Sequence, residues 1–451
     1  MMQYTFTISL SRLILTSVFL AMATGAQAGL QEGSEAFKNR KFADALQELK
    51  PLAVSGNAQA QTLLGRMYSA GLGVPKDYKE AALWFHKSAE QGDALAQFNL
   101  GAMYSNGQGV PQNYAEAASW YRKSAEQGGA KEQFNLGMMF LNGRGVAWDD
   151  KDAIVWFRKA AAQESMQARY MLGWMYEKGR GVERDEATAA MWYLQAADQG
   201  YIESQSSLCE MYYKGRGVAQ DFKAAMTWCQ KAGAQGDASS QVRVGWMYQQ
   251  GEGVVQDYPM ALYWYRKADM LGHSAASNNI GWMYQQGWGV SQDEKAAALW
   301  YRKAADLGNA NAQFRLGYMY HKGSGVSLDP GRAAMWYRKA AEQGEAAAQS
   351  NLGEMYLHGD SVEKNHEEAL LWFNKAAEQG LANAQNNLGL MYEKGYGVDA
   401  DWVRAHAWYN LAGMAGDEAA IANRKSIQSR MTSAEIDKAQ VMASEWMEQL
   451  H

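Results

Sequence analysis

Cysteine occurs only twice in this chain, at Cys209 and Cys229, and proline only five times. So little cysteine excludes a disulfide-framework scaffold and a multi-cysteine zinc fold. So little proline leaves long stretches free to be helical. Beyond residue 28 no stretch is apolar enough to span a bilayer. The formal charge is −5, and Lys and Arg are spread along the chain rather than gathered into a basic stripe. No nucleic-acid partner is expected on that balance. The seven histidines show no HExxH or other metal-ligand spacing, so neither a metal nor a cofactor is expected. GxG turns such as Gly107–Gly109 never continue to the third glycine of a dinucleotide site, and a lone Ser361-x-x-Lys364 lacks the companion nucleophile motifs. No catalytic constellation is found, and the chain is read as a non-enzyme.

What the sequence has instead is a period of 36 residues. A glycine recurs at Gly65, Gly101, Gly137, Gly173, Gly245, Gly281, Gly317, Gly353 and Gly389, with Cys209 in the fifth place. A tryptophan follows nineteen residues later in every copy, from Trp84 to Trp408. Such fixed-period similarity marks a solenoid, whose units bury their apolar faces by stacking on neighbours.

One copy predicts one helical hairpin. Ala96, Leu100, Met103 and Tyr104 give a first helix a single apolar stripe. Gly101 lies inside it, where glycine costs about 1 kcal/mol against alanine; a close approach of the second helix is the expected reason, with Ala117 facing the glycine. The loop Asn106 to Val110 suits a left-handed C-cap. The second helix starts at an Asp or Asn in all ten copies: Asp77, Asn113, Asp149, Asp185, Asp221, Asp257, Asp293, Asp329, Asn365 and Asp401. Glu80, Glu116 and Glu368 are placed to complete capping boxes. Ala117, Trp120, Tyr121, Ser124 and Ala125 form its buried face, and a glycine ends nine of the ten copies, Glu164 being the exception.

The ends differ from the middle. Residues 1–28 read as a cleaved signal peptide: Arg12 precedes an apolar run, Leu13 to Ala23, that closes on Ala26-Gln27-Ala28. Residues 29–56 read as an N-terminal capping hairpin, 57–416 as ten repeats, and 417–451 as a C-terminal capping segment with a capping box at Thr432–Glu435.

The stretch AQFNLGAMYSNGQGVPQNYAEAASWYRKSAEQG, Ala96 to Gly128, resembles the Sel-one-like repeat, a relative of the tetratricopeptide repeat. The tail from Met431 to Met447 resembles the close of bacterial members. The resemblance implies an all-α fold, an α/α superhelical solenoid that binds proteins or peptides, often at the bacterial envelope.

Two features stand out against the repeated scaffold. Cys209 takes the glycine position and Cys229 the aromatic position of the same hairpin; the pair reads either as two buried thiols exchanging volume or as an intra-repeat disulfide. Exported members of the resembled family carry such staples, which implies the disulfide. On the first helices, two columns vary while the scaffold repeats, and they hold Phe98, Phe134, Tyr170, Trp174, Trp246, Trp282, Phe314 and Tyr318. These rings read either as the lining of a concave binding groove or as packing between helices.

The expectation is thus a monomeric, periplasmic or secreted interaction scaffold of a bacterial envelope, binding a protein or peptide. The alternatives are an envelope hydrolase acting on cell-wall material or β-lactams, whose multiple cysteine pairs are missing here, and a secreted host-interaction factor.

Overall fold

The computed structural model describes residues 27–449. The expected leader, residues 1–28, lies outside the described residues except for Gln27 and Ala28, which belong to the first described helix. The chain divides into two compact units, Met1–Gln220 and Asp221–His451. Among the described residues there are helices, turns and loops, and no strand.

The first unit holds α1 (27–38), α2 (Phe42–Val54), α3 (Ala58–Ala70), α4 (Tyr78–Glu90), α5 (Ala94–Asn106), α6 (Tyr114–Glu126), α7 (Ala130–Asn142), α8 (Asp150–Ala162), α9 (Met166–Lys178), α10 (Glu186–Ala197) and α11 (Ile202–Lys214). The second holds α12 (Phe222–Ala234), α13 (Ala238–Gln250), α14 (Tyr258–Met270), α15 (Ser274–Gln286), α16 (Glu294–Asp306), α17 (Ala310–Lys322), α18 (Pro330–Glu342), α19 (Ala346–His358), α20 (His366–Glu378), α21 (Ala382–Lys394), α22 (Trp402–Met414), α23 (Glu418–Gln428) and α24 (Ser433–Gln449). From α2 to α11 in the first unit and from α12 to α23 in the second, successive helices pack on one another, and α24 returns onto α22. The fold is an all-α solenoid of tandem hairpins.

Local chemistry sets the helix ends. Every second helix of a repeat has its Asp or Asn at the N-cap, and all ten side chains accept a first-turn N–H, each contributing about 1 kcal/mol. The expected capping boxes are only half made. Glu80, Glu116 and Glu368 donate their N–H to the cap, but the cap's own N–H donates to the carbonyl of Tyr68, Tyr104 or Tyr356 across the loop. No return bond from the glutamate is needed. At Thr432 and Glu435, where no such loop carbonyl accepts, both arms form.

The two loop glycines serve different ends. Gly107 caps α5 in the left-handed region at φ 68°. Gly109, at φ 73°, also lies so near the preceding repeat that a Cβ there would stand 2.0 Å from the Tyr78 carbonyl oxygen. Ser361 takes the equivalent of Gly109 at φ 58°, and Glu164 takes a repeat-closing glycine position at φ 65°.

The glycine inside each first helix meets a ring rather than the alanine expected to face it. A Cβ on Gly173 would stand 2.6 Å from Tyr193, and one on Gly65 2.8 Å from Phe85. The alanines at this register are fully buried, and beside Gly101 Ala117 contributes its carbonyl, 3.2 Å from such a Cβ. A flat ring laid on bare helix backbone requires glycine; alanine's small side chain would not have.

Polar locks join one repeat to the next. Gln97 Nε2 donates to the Ala89 carbonyl of the previous repeat at 3.1 Å, and Gln127 donates to Gln97 Oε1 at 2.9 Å. The same lock recurs at Gln133, Gln313 and Gln349. At Ser277 it is replaced by a hydroxyl–carboxylate–ammonium chain, Ser277 to Asp269 at 2.6 Å and Lys303 to Asp269 at 2.7 Å.

Candidate functional site

The two variable columns of the first helices occupy different surroundings. In the column three residues before the repeat glycine, the rings turn toward the core. Phe98 is 9 % exposed and lies 5.5 Å from Tyr121; Phe134 lies 5.7 Å from Phe157, Tyr170 5.6 Å from Tyr193, and Phe314 5.9 Å from Tyr337. Each covers the ring that rests on its own repeat's glycine. These four side chains therefore pack the hairpin.

In the column just after the glycine, Trp174, Trp246 and Trp282 are half-buried, as Phe134, Tyr170 and Phe314 are, and Tyr318 is 46 % exposed. Trp174 faces the Arg180 guanidinium at 5.3 Å; that group also stacks on Trp148 at 5.4 Å and holds Asp150 by two hydrogen bonds of 2.9 and 2.8 Å. Trp282 lies 5.1 Å from Trp288, which stacks on Tyr258 at 5.3 Å, while Arg315 sits 5.5 Å over Trp282. Tyr258, Trp288, Trp282 and Arg315 thus form one aromatic cluster in the second unit, with the Tyr258–Trp288 pair stacked, Trp282 tilted to Trp288 by 55° and its ring covered by the guanidinium.

Sequence reasoning missed Trp288 and Arg315 because each stands in a column where most copies have an ordinary loop or helix residue, and Tyr258 because its column, aromatic in half the copies, lies at the start of the second helix rather than on the first. A signal was present: the middle loop residue meets the first residue of the second helix thirty positions earlier. Arg180 and Asp150 pair so, as do Trp288 and Tyr258, and Tyr396 and His366 at 4.6 Å.

Two further regularities lie on the second helices. A lysine three residues after the repeat tryptophan lies over its ring in eight copies, from 4.0 Å at Trp156 and Trp228 to 5.3 Å at Trp300, where Asp269 draws Lys303 away. In four copies the buried tyrosine after the tryptophan donates to a polar partner sixteen residues back: Glu177 for Tyr193, Gln249 for Tyr265, Gln285 for Tyr301 and Glu393 for Tyr409, at 2.8 to 2.9 Å. Where the ring is Phe157 or Phe373, that place holds Leu141 or Leu357. A buried hydroxyl left unpaired would be costly. Burial alone pushes Tyr121, which lacks such a partner, up to about 12.

Cys209 and Cys229 are both buried, and neither is a free thiol. Among the described residues no group of three or more His, Cys, Asp or Glu side chains is placed to hold a metal, and no helix is long and apolar enough to cross a membrane.

Comparison with other proteins identifies the scaffold. Ten consecutive stretches, from 58–93 to 382–417, match the Sel1 repeat. A protective antigen of uropathogenic Escherichia coli that displays an SLR fold is 36% identical, with a TM-score of 0.80 over 97% of this chain and 95% of that one. A Sel1 repeat protein from Oxalobacter formigenes is 34% identical, with a TM-score of 0.57 over 69% of this chain and 90% of that one. A search of curated proteins finds no match. Proteins built from these repeats generally serve as protein-interaction scaffolds, and this chain belongs to the Sel1 repeat family.

Proposed function

We propose that the protein is an exported, non-enzymatic scaffold of a bacterial envelope that binds a protein or peptide partner on its first-helix face. The observation that carries this reading is the contrast within each hairpin: the glycine, cap, alanine and tryptophan positions repeat, while the first-helix column of Trp174, Trp246, Trp282 and Tyr318 varies. Variation against a constant frame is how a repeated scaffold encodes a specific partner, and half-buried tryptophans supply anchoring energy there. Export is supported by the leader-like residues 1–28 and by the likeness to a protein described as a protective antigen. In that compartment Cys209 and Cys229, at the registers where glycine and ring meet in other repeats, form a staple.

The test is paired. Trp246→Ala with Trp282→Ala weakens binding of a partner captured from envelope extract by about 2 kcal/mol or more, while the melting temperature stays close to that of the parent. A parent-like affinity, or a melting temperature many degrees lower, would show those rings to be packing. N-terminal sequencing that finds residue 1 retained in a cytoplasmic protein would end the export reading.

A further inference from the structure

The first unit contains a cavity of about 690 Å³ between α1, α3 and the start of α5. Its volume is in the range of ligand sites. Phe37, Leu63, Leu72 and Leu95 supply its apolar wall. Lys38, Arg40 and Arg66 stand around it, are exposed, and take part in none of the ion pairs of the described residues. Arg66 lies 4.9 Å over the Phe37 ring, which orients its guanidinium without neutralising it.

The one carboxylate in the lining is already committed. Asp93 Oδ1 accepts from Thr62 Oγ1 at 3.0 Å and from the Ala96 N–H at 2.7 Å, the latter as N-cap of α5. Thr62 is in turn held by Ser88 at 2.8 Å. Three cations thus face the cavity against the single negative charge of Asp93 in the same lining, which leaves its wall net positive. An adjoining cavity of about 540 Å³ shares Ser34, Lys38 and Gln59 and adds Glu35. The Ser34 hydroxyl, where the two meet, has no hydrogen-bond partner. Phosphate-rich ligands fit the charge but not the apolar wall, and apolar peptides fit the wall but leave the cations unanswered.

We infer that this cavity binds an acidic peptide segment, carboxylates on Lys38, Arg40 and Arg66 and an aliphatic side chain against Phe37 and Leu63. The inference deepens the scaffold reading by giving one stretch of partner its chemistry, since Thr62 and Arg66 stand in the two variable columns. Its test is separate from that of the Trp246 and Trp282 face.

The probe is a short fluorescein-labelled peptide alternating leucine with glutamate, titrated into the full chain and followed by anisotropy. The expected result is saturable binding that weakens as salt rises, and that falls about tenfold or more in Arg66→Glu and in Lys38→Glu. Lys151→Glu, an exposed charge elsewhere in the same unit, binds as the parent does. Circular dichroism melting of each variant shows that the fold is kept. Equal binding of the glutamine counterpart of the peptide, parent-like affinity in both charge-reversed variants, or equally tight binding of an oligothymidylate through the same residues would each overturn the inference. So would no binding at low salt. If the peptide fails while the Trp246 and Trp282 variant still loses its captured partner, the scaffold reading stands and only the cavity assignment falls.

Discussion

At its C-terminal end the second unit stacks a second ring on its last repeat tryptophan beside a cleft of about 420 Å³, whereas at its N-terminal end the first unit leaves a cavity of about 690 Å³ lined by three cations. Trp408 carries no lysine three residues on; Leu411 stands there, and the ring is covered instead by Trp446 of α24 at 4.4 Å. Ala405, Tyr409, Ala412, Ala420 and Ile427 join in one buried cluster beneath, and a complete capping box starts α24. At the other end, α1 and α2 bury Ala45, Leu49 and Ala53 against the first repeat but leave Lys38, Arg40 and Arg66 around open space. A stacked array has two exposed faces to finish. A ring stacked on the terminal tryptophan contributes stability, while a cleft lined by three cations and an apolar wall leaves room for a partner.

The largest effect that can break this contrast is at the C-terminal end. Trp408→Ala removes a ring that is 8 % exposed and should cost about 3 kcal/mol or more, read as lost hydrogen-exchange protection in α22 to α24. Phe37→Ala, beside the cavity where the ring is only half-buried, should cost well under half as much. Equal costs would mean that both ends are packed alike.

Between the ends, the fifth repeat supplies a reference of similar size. Reducing the staple assigned to Cys209 and Cys229 should lower stability by about 3 kcal/mol in the chain-entropy account. Mass spectrometry of alkylated, unreduced protein should find neither thiol labelled; full labelling would remove the staple.

A smaller change is expected where a side chain occupies a glycine conformation. Glu164→Gly in the first unit and Ser361→Gly in the second should each stabilise by about 0.5–1 kcal/mol, because relief of left-handed strain exceeds the added chain entropy. Chemical denaturation of each single variant measures this. A loss of stability in either would show that its side chain is held by contacts worth more than the strain.

The smallest effect is confined to the C-terminal end and to acid. His406, 2 % exposed, has both ring nitrogens without a hydrogen-bond partner. Burial, and then the nearby Arg424 charge, hold its pKa below the usual histidine value of 6.5. The unfolded chain therefore takes up the proton first as pH falls. Stability contributed by neutral His406 is complete above 6.5 and is lost progressively below it. His406→Leu should flatten that part of the pH–stability profile of α22 to α24, and an unchanged profile would assign the acid loss to other groups. The N-terminal cavity has no histidine in its lining, so exchange protection in α1 to α3 should not follow the same profile.

Much of the scaffold could be read without coordinates because its determinants are local and are repeated ten times. The Asp and Asn caps accept their own first-turn N–H groups, and the left-handed glycines end the first helices where the pattern predicts. A repeated local signal averages out the ambiguity of any single copy. The candidate site was legible only in part. Phe98, Phe134, Tyr170 and Phe314 cover the buried rings of their hairpins, while Trp174, Trp282 and Tyr318, in an equally variable column, lie against cationic side chains. Variation along a chain does not say which way a side chain faces.

What the sequence by itself determined was the period, the hairpin and the ends of its helices, all settled by interactions within a few residues of one another. Only the tertiary structure decided what the glycines are for, which glutamine bridges which repeat, which carboxylate answers a buried tyrosine, and that Lys38, Arg40 and Arg66 gather around one cavity. Those outcomes depend on groups sixteen to thirty residues apart brought together by helix packing. Periodicity shows that such groups recur, but only packing determines which of them touch.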